Sequence, residues 1–118
     1  MDKLLRQSLL YDFYGELLTE HQKQIYEDVV MNDLSYSEIA REAGISRQGV
    51  YDMMKRSEKI LEEYEEKLQL VKKFVTAREK IEEMKEDIQT IRDKNQDKEL
   101  EVLLGELAGK SSYLLEEF

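Results

Sequence analysis

The chain has 118 residues, 41% hydrophobic and 38% charged, enough apolar matter for one small domain or two helical pieces. Its 18 Lys+Arg against 27 Asp+Glu leave a net charge of -9, which opposes polyanions at long range. With no Cys and a single His, a disulfide framework, a thiolate metal centre and a His-rich metal site are excluded, so neither cofactor nor metal is expected.

Apolar runs of two to four residues are too short to span a membrane, and the start MDKLLRQSLLYDFYGELL lacks the long apolar stretch and cleavage site of a signal peptide. A cytoplasmic protein without membrane insertion is the expectation.

The absence of Pro, with Lys, Glu, Leu and Gln abundant, predicts helix throughout and an all-α fold. Lys3 to Tyr14 places Leu5, Leu9, Phe13 and Leu10, Tyr14, Leu17 at helical spacing, with Gly15 near the end. Thr19-Glu20-His21-Gln22 fits a capping box, in which the Thr oxygen meets an orphan N–H and Gln22 reaches back. Ile25, Val29 and Val30 form the apolar face behind it, and Asn32-Asp33 breaks the run. Ser35-Tyr36-Ser37-Glu38 is a second capping box, leading into Ile39, Ala40 and Ala43. Gly44 interrupts, and Ser46 is a good N-cap for the next helix.

From Arg47 the helical pattern runs on through Val50, Met53, Ile60, Tyr64, Leu68, Val71, Phe74 and Val75. It continues in a seam of Ile81, Met84, Ile88 and Ile91 at coiled-coil-like spacing. Unbroken, that helix would be roughly 65–70 Å long, with a register shift near Thr76-Ala77 as the candidate break. Glu62, Glu63, Glu65 and Glu66 interleave with Lys59 and Lys67 as solvated i,i+4 partners. Asp93-Lys94-Asn95-Gln96-Asp97 reads as a turn, and Leu100, Leu103, Leu104 and Leu107 complete a last helix before Gly109 and a frayed tail. The predicted organisation is a helix-turn-helix domain over 1–57 and a long, coiled-coil-like extension over 58–118. The extension either folds back as a hairpin or pairs across a two-fold axis, and a homodimer through these helices is expected.

Residues 36–56 carry the functional signal. A helix-turn-helix unit needs a small residue where its second helix crosses, and Ala40 supplies it; four residues on, its tight turn takes Gly44. Ile39, Ala43, Ile45, Val50 and Met53 supply the buried positions, with Ser46 as the cap. Gly49, inside the second helix, is read as a close helix crossing. At 100° per residue the outer face comprises Arg47, Gln48, Tyr51, Asp52 and Lys55. In the motif this helix enters the major groove with its first residues at the base edges. Arg forks onto guanine, Gln onto adenine, and a carboxylate such as Asp52 accepts from cytosine. Tyr51, Lys55, Arg41 and Arg56 are placed to reach phosphate or sugar, and the helix N-terminus after Ser46 offers N–H groups to a phosphate. Residues 36–56 hold 4 basic and 3 acidic side chains, against 3 and 7 in residues 1–35 and 11 and 17 in residues 57–118. Only this middle segment leans positive. No nucleophile–base pair, phosphate-cradling Gly loop or metal spacing accompanies it, so no enzyme is expected.

The runs Leu18-Thr19-Glu20, Leu34-Ser35-Tyr36-Ser37-Glu38-Ile39-Ala40 and Gly44-Ile45-Ser46-Arg47-Gln48-Gly49-Val50-Tyr51-Asp52 resemble the sigma-factor region 4 type of helix-turn-helix. Taken with Lys55-Arg56-Ser57-Glu58-Lys59-Ile60-Leu61 and Glu65-Glu66-Lys67-Leu68 beyond them, the chain looks like the YlxM family of small bacterial proteins. The resemblance is most specific from Leu18 to Leu68 and weak after about Phe74. It implies an all-helical regulatory protein that binds DNA. It also implies a part in the signal recognition particle pathway, inferred from gene neighbourhood, with RNA or protein components of that particle as alternative partners.

Overall fold

The computed structural model describes residues 1–117, and these form six α-helices with no strand among them. The helices are α1 (Lys3–Tyr14), α2 (Glu20–Val30), α3 (Tyr36–Ala43), α4 (Arg47–Leu68), α5 (Leu70–Lys94) and α6 (Lys98–Glu117), with one turn of 3-10 helix at Gly15–Leu17 after α1. The chain packs as two units, Met1–Val71 and the remainder from Lys72 onward. The domain boundary expected at residue 57 therefore falls in the middle of α4.

Local hydrogen bonds explain where the helices of the first unit start. Thr19 and Gln22 form a reciprocal capping box on α2, and Ser35 and Glu38 form another on α3. Asp2 caps α1 and Ser46 caps α4, each side chain accepting from the backbone N–H three residues on. Each such cap contributes on the order of 1 kcal/mol. The α3–α4 turn is closed by Gly44 at φ 70, ψ 29, and the Ile45 N–H donates back to the Ala40 carbonyl at 3.1 Å.

The core of the turn unit is Ile25, Ile39, Ala40 and Val50, flanked by half-buried Val29, Leu34, Tyr36, Ile45 and Met53. Ala43 is exposed, contrary to its expected burial, because α3 ends there, beyond the crossing at Ala40. The buried stripe of α4 runs Val50, Met54, Ser57, Leu61, Glu65. Met54, not Met53, is thus the fully buried methionine.

Side-chain contacts tie α1 along α4. Arg6 meets Glu62 in a bidentate pair at 2.9 and 2.8 Å, and the Gln7 amide donates to Glu58 at 3.0 Å. Tyr11 stacks on Tyr26 with centroids 5.1 Å apart and donates to Glu27. The Tyr26 hydroxyl donates to the Gln7 carbonyl at 2.8 Å. Burial raises the pKa of both tyrosine hydroxyls, which keeps them as donors.

The long helical run breaks at Gln69 (φ 55, ψ 31), not near Thr76-Ala77. The break is clasped by side chains distant in sequence. Tyr14 donates from its hydroxyl to Glu65 at 2.7 Å, and the Val71 N–H donates to the same carboxylate oxygen at 2.9 Å. The Leu70 N–H donates to the Tyr14 hydroxyl at 3.1 Å. Glu65 is buried, so the solvated role read for it from its neighbouring charges is corrected.

Ser57 is 1% exposed in this stripe, and its hydroxyl has no hydrogen-bond partner among the described residues. A desolvated hydroxyl without a partner costs free energy that a methyl group does not. Ser57→Ala is expected to leave the free energy of urea unfolding unchanged or raise it by up to about 1 kcal/mol.

In the second unit α5 and α6 form an antiparallel hairpin. Asn95 and Asp97 build the connection, with Asp97 accepting from the Glu99 and Leu100 N–H groups to cap α6. Arg92 pairs with Glu101 at 2.7 Å, and Arg78 donates to the Leu115 carbonyl at 2.9 Å. The hairpin is one of the two arrangements the sequence leaves open for these helices. Helix α6 continues through Gly109 to Glu117, past the point where fraying was expected.

Candidate nucleic-acid interface

The buried stripe on α4 leaves its opposite side to solvent. Arg47, Gln48, Tyr51, Asp52, Lys55 and Arg56 are all exposed, as is Arg41 at the end of α3. Val50, at 0% exposure, sits between them in sequence and anchors the helix from beneath. Ser46 Oγ accepts from the Gly49 N–H at 2.9 Å, so one of the N-terminal donors of α4 is already engaged.

A Cβ on Gly49 would lie 3.2 Å from Ser46 Oγ and 3.7 Å from Ile45 Cδ1. The neighbour that crowds Gly49 is therefore its own cap and the turn, not a crossing helix as expected.

Tyr36, Arg47, Gln48 and Tyr51 line an open groove of about 450 Å³. The Tyr36 and Tyr51 rings meet edge to face, centroids 6.1 Å apart, which fixes one wall where α3 and α4 join. Lys55 holds its ammonium 5.5 Å from the Tyr51 ring centre and 3.4 Å from Glu58. The charge of Glu58, then its hydrogen bond, raises the Lys55 pKa, so the cation is retained at neutral pH. Gln48 donates from Nε2 to Asp52 at 2.9 Å, which leaves the amide oxygen and a second N–H pointing away from that bond.

Five predicted residues thus share one continuous surface: Arg47, Gln48 and Tyr51 in the groove, Asp52 and Lys55 joined to it by contact. Arg41 and Arg56 do not line the groove. Tyr36 does, and the sequence pattern leaves it out of the site. Its only signal was its place directly after the Ser35 cap, at the start of the helix that the second helix must cross. Among the described residues no cluster of His, Cys, Asp and Glu is arranged to hold a metal ion, and no helix is long and apolar enough to cross a membrane.

Residues 1–102 match the family described as "Putative helix-turn-helix protein, YlxM / p13 like". The chain belongs to the YlxM/p13-like family. The match extends through α4 and α5, well past Phe74, where the sequence resemblance weakens. A YlxM/p13-like relative from Thermoanaerobacter sp. is 46% identical over 107 residues, covering 91% of this chain and 92% of the relative. One from Caldanaerobacter subterraneus is 55% identical over 87 residues, 74% of each chain. The YlxM protein of Bacillus subtilis is 46% identical over 86 residues, covering 73% of this chain and 78% of its own. The YlxM/p13-like family is described as one of helix-turn-helix proteins.

Proposed function

We propose that this protein is a non-enzymatic regulatory module of the cytoplasm that binds duplex DNA through the exposed face of α4. Its working unit is a homodimer joined through the C-terminal helices, since this motif commonly reads two half-sites. One observation carries the reading: Arg47, Gln48, Tyr51 and Lys55 stand exposed together on the helix that follows the left-handed Gly44 turn. Arg47 and Gln48, at the helix start, take the base edges, with bidentate capacity for guanine and adenine. Tyr51, Lys55, Arg41 and Arg56 take phosphate or sugar and set the register. Asp52 steadies Gln48 and discourages phosphate on its own side, which lowers non-specific affinity.

The test is titration of duplexes selected from a random library, at several salt concentrations. Arg47→Ala should cost about 1–3 kcal/mol at one base pair, whereas Lys55→Ala should weaken all sequences alike and lower the salt slope by about one. Equal, negligible effects from both substitutions would reject this surface.

A second reading has the same groove serve an accessory of the signal recognition particle, bound to its RNA or protein. The edge-to-face Tyr36–Tyr51 pair beside Arg47 favours it, because unpaired RNA bases stack on aromatic and guanidinium planes. Retention of a structured RNA, with no preference among duplex sequences and sensitivity to Tyr51→Ala, would select this reading over the first.

A further inference from the structure

We infer that the α5–α6 hairpin pairs with the hairpin of a second copy through one apolar face, the α5 of each chain lying antiparallel on the α6 of the other in a four-helix bundle. This deepens the homodimer of the proposed function and rests on it.

The contacts Arg92–Glu101 and Arg78–Leu115 are separated by the same number of residues on both helices, 78 to 92 and 101 to 115, so one register holds along the hairpin. Inside it Ile81, Ile88, Leu104 and Ser111 are buried. That is a thin core for two helices of 25 and 20 residues. Of the eight large apolar side chains exposed outside it, Met84, Ile91, Leu100, Leu103, Leu107 and Leu114 are between 43% and 60% exposed, while Val102 and Tyr113 lie on the far side of α6.

These six fall on one side. At 100° per residue, Met84 and Ile91 lie about 40–60° to one side of Ile88, and the four leucines lie about 40–100° from Leu104 in the same rotational sense. Because α5 and α6 run in opposite directions, equal senses of rotation bring both stripes to the same face. The α6 stripe alone, from Leu100 to Leu114, is about 21 Å long. A contiguous apolar face of this kind on a small unit marks an interaction surface.

Charge along its edges identifies a second copy as the occupant. Beside the α5 stripe run Lys80, Asp87 and Lys94 at seven-residue spacing; beside the α6 stripe run Glu99, Glu106, Lys110 and Glu117. A two-fold axis parallel to the helices keeps every residue at its height and sets the α5 edge of one copy against the α6 edge of the other. Lys94 then faces Glu99, while Lys80 comes within about one helical turn of Glu117, and Asp87 of Lys110. Glu106 lies level with Asp87, and Lys110 one turn on offsets that repulsion. The other two-fold arrangement, α5 on α5, has its axis across the helices; with the apolar stripes in full overlap it sets Lys80 against Lys94 of the partner subunit and Asp87 against its own copy. The charged edges thus favour the α5-on-α6 arrangement, as register-setting flank charges do in bundles and coiled coils.

Sedimentation equilibrium of the full chain from about 1 to 100 µM tests the pairing. The wild type should dimerise, and Leu103→Glu with Leu107→Glu should weaken association by about 100-fold or more. Surface charge swaps test the arrangement without endangering the fold. A chain with Lys80→Glu and Lys94→Glu, and a second chain with Glu99→Lys and Glu117→Lys, should each lose at least about tenfold in self-association. Mixed in equal amounts they should form heterodimers, since both helix pairs are then complementary. A wild type that stays monomeric throughout, free for a foreign helical partner, would overturn the inference. So would charge variants that self-associate normally, or a mixture that does not pair. A wild-type dimer that binds no nucleic acid would defeat the functional reading and leave this interface standing.

Discussion

Glu65→Ala is expected to destabilise the Met1–Val71 unit by about 3 kcal/mol, the largest loss from any single polar side chain in it. The carboxylate is buried and accepts from both the Tyr14 hydroxyl and the Val71 N–H. Hydrogen bonds to a charged acceptor contribute about 1.5–3 kcal/mol each, and truncation leaves both donors facing a void. Burial first, and then the Glu65 bond, raise the Tyr14 pKa, so the hydroxyl keeps its proton and remains a donor. For a unit of this size the midpoint of thermal unfolding should fall by about 15 °C. Glu65→Gln separates acceptor from charge: its amide oxygen can still receive both bonds, and the loss should be about 1 kcal/mol. A fall in Tm as large for Gln as for Ala would show that charge, and not the buried acceptor, holds the joint. Followed by circular dichroism, Glu65→Ala should also release the α4–α5 turn, because the αL backbone of Gln69 costs roughly 1 kcal/mol or more and depends on this clasp.

The features that were legible in the sequence are those whose causes lie within four residues. Thr19 with Gln22, Ser35 with Glu38, and Ser46 each complete their caps locally, and all three fold as their spacing indicates. Gly44 sits at positive φ as the turn requires. The outward face of Arg47, Gln48, Tyr51, Asp52 and Lys55 was equally readable, since a fixed 100° step and one buried residue, Val50, determine it. What escaped the sequence depends on contacts between distant residues. No local pattern marks Gln69 as a break, because the bonds that hold it join Tyr14 to Glu65 and Leu70 across more than fifty positions. Glu65 sits among Glu62, Glu63 and Glu66, and although it falls four residues after Leu61 on the buried stripe, its charge and theirs mask that position until Tyr14 is packed against it. Met53 and Met54 both read as core filler, and which of the two is fully buried turns on where the stripe through Val50, Ser57 and Leu61 passes. The Tyr36–Tyr51 wall exists only once α3 and α4 have crossed.

Gly44→Val is expected to cost about 2–3 kcal/mol and to abolish binding by the α4 face under conditions where the chain is marginally stable. A Cβ at Gly44 meets nothing within 4 Å, so crowding plays no part, and the whole penalty comes from φ +70. Glycine adopts that conformation freely, asparagine tolerates it, and a β-branched residue is an outlier there. A graded series should therefore emerge in urea unfolding: Gly44→Asn close to wild type, Gly44→Ala about 1 kcal/mol lower, Gly44→Val lowest. Equal losses for Asn and Val would mean that a clash, rather than backbone conformation, sets the cost. The ordering has a functional counterpart. The Ile45 N–H reaches the Ala40 carbonyl only through the left-handed Gly44, and that closure sets the angle at which Arg47 and Gln48 emerge from the turn. If valine straightens the turn, α4 loses its seat on Ile39 and Ala40, and the groove walled by Tyr36 and Tyr51 opens. Nucleic-acid affinity should accordingly fall in the same order as stability across the three variants, even though none of them touches a residue that would contact DNA.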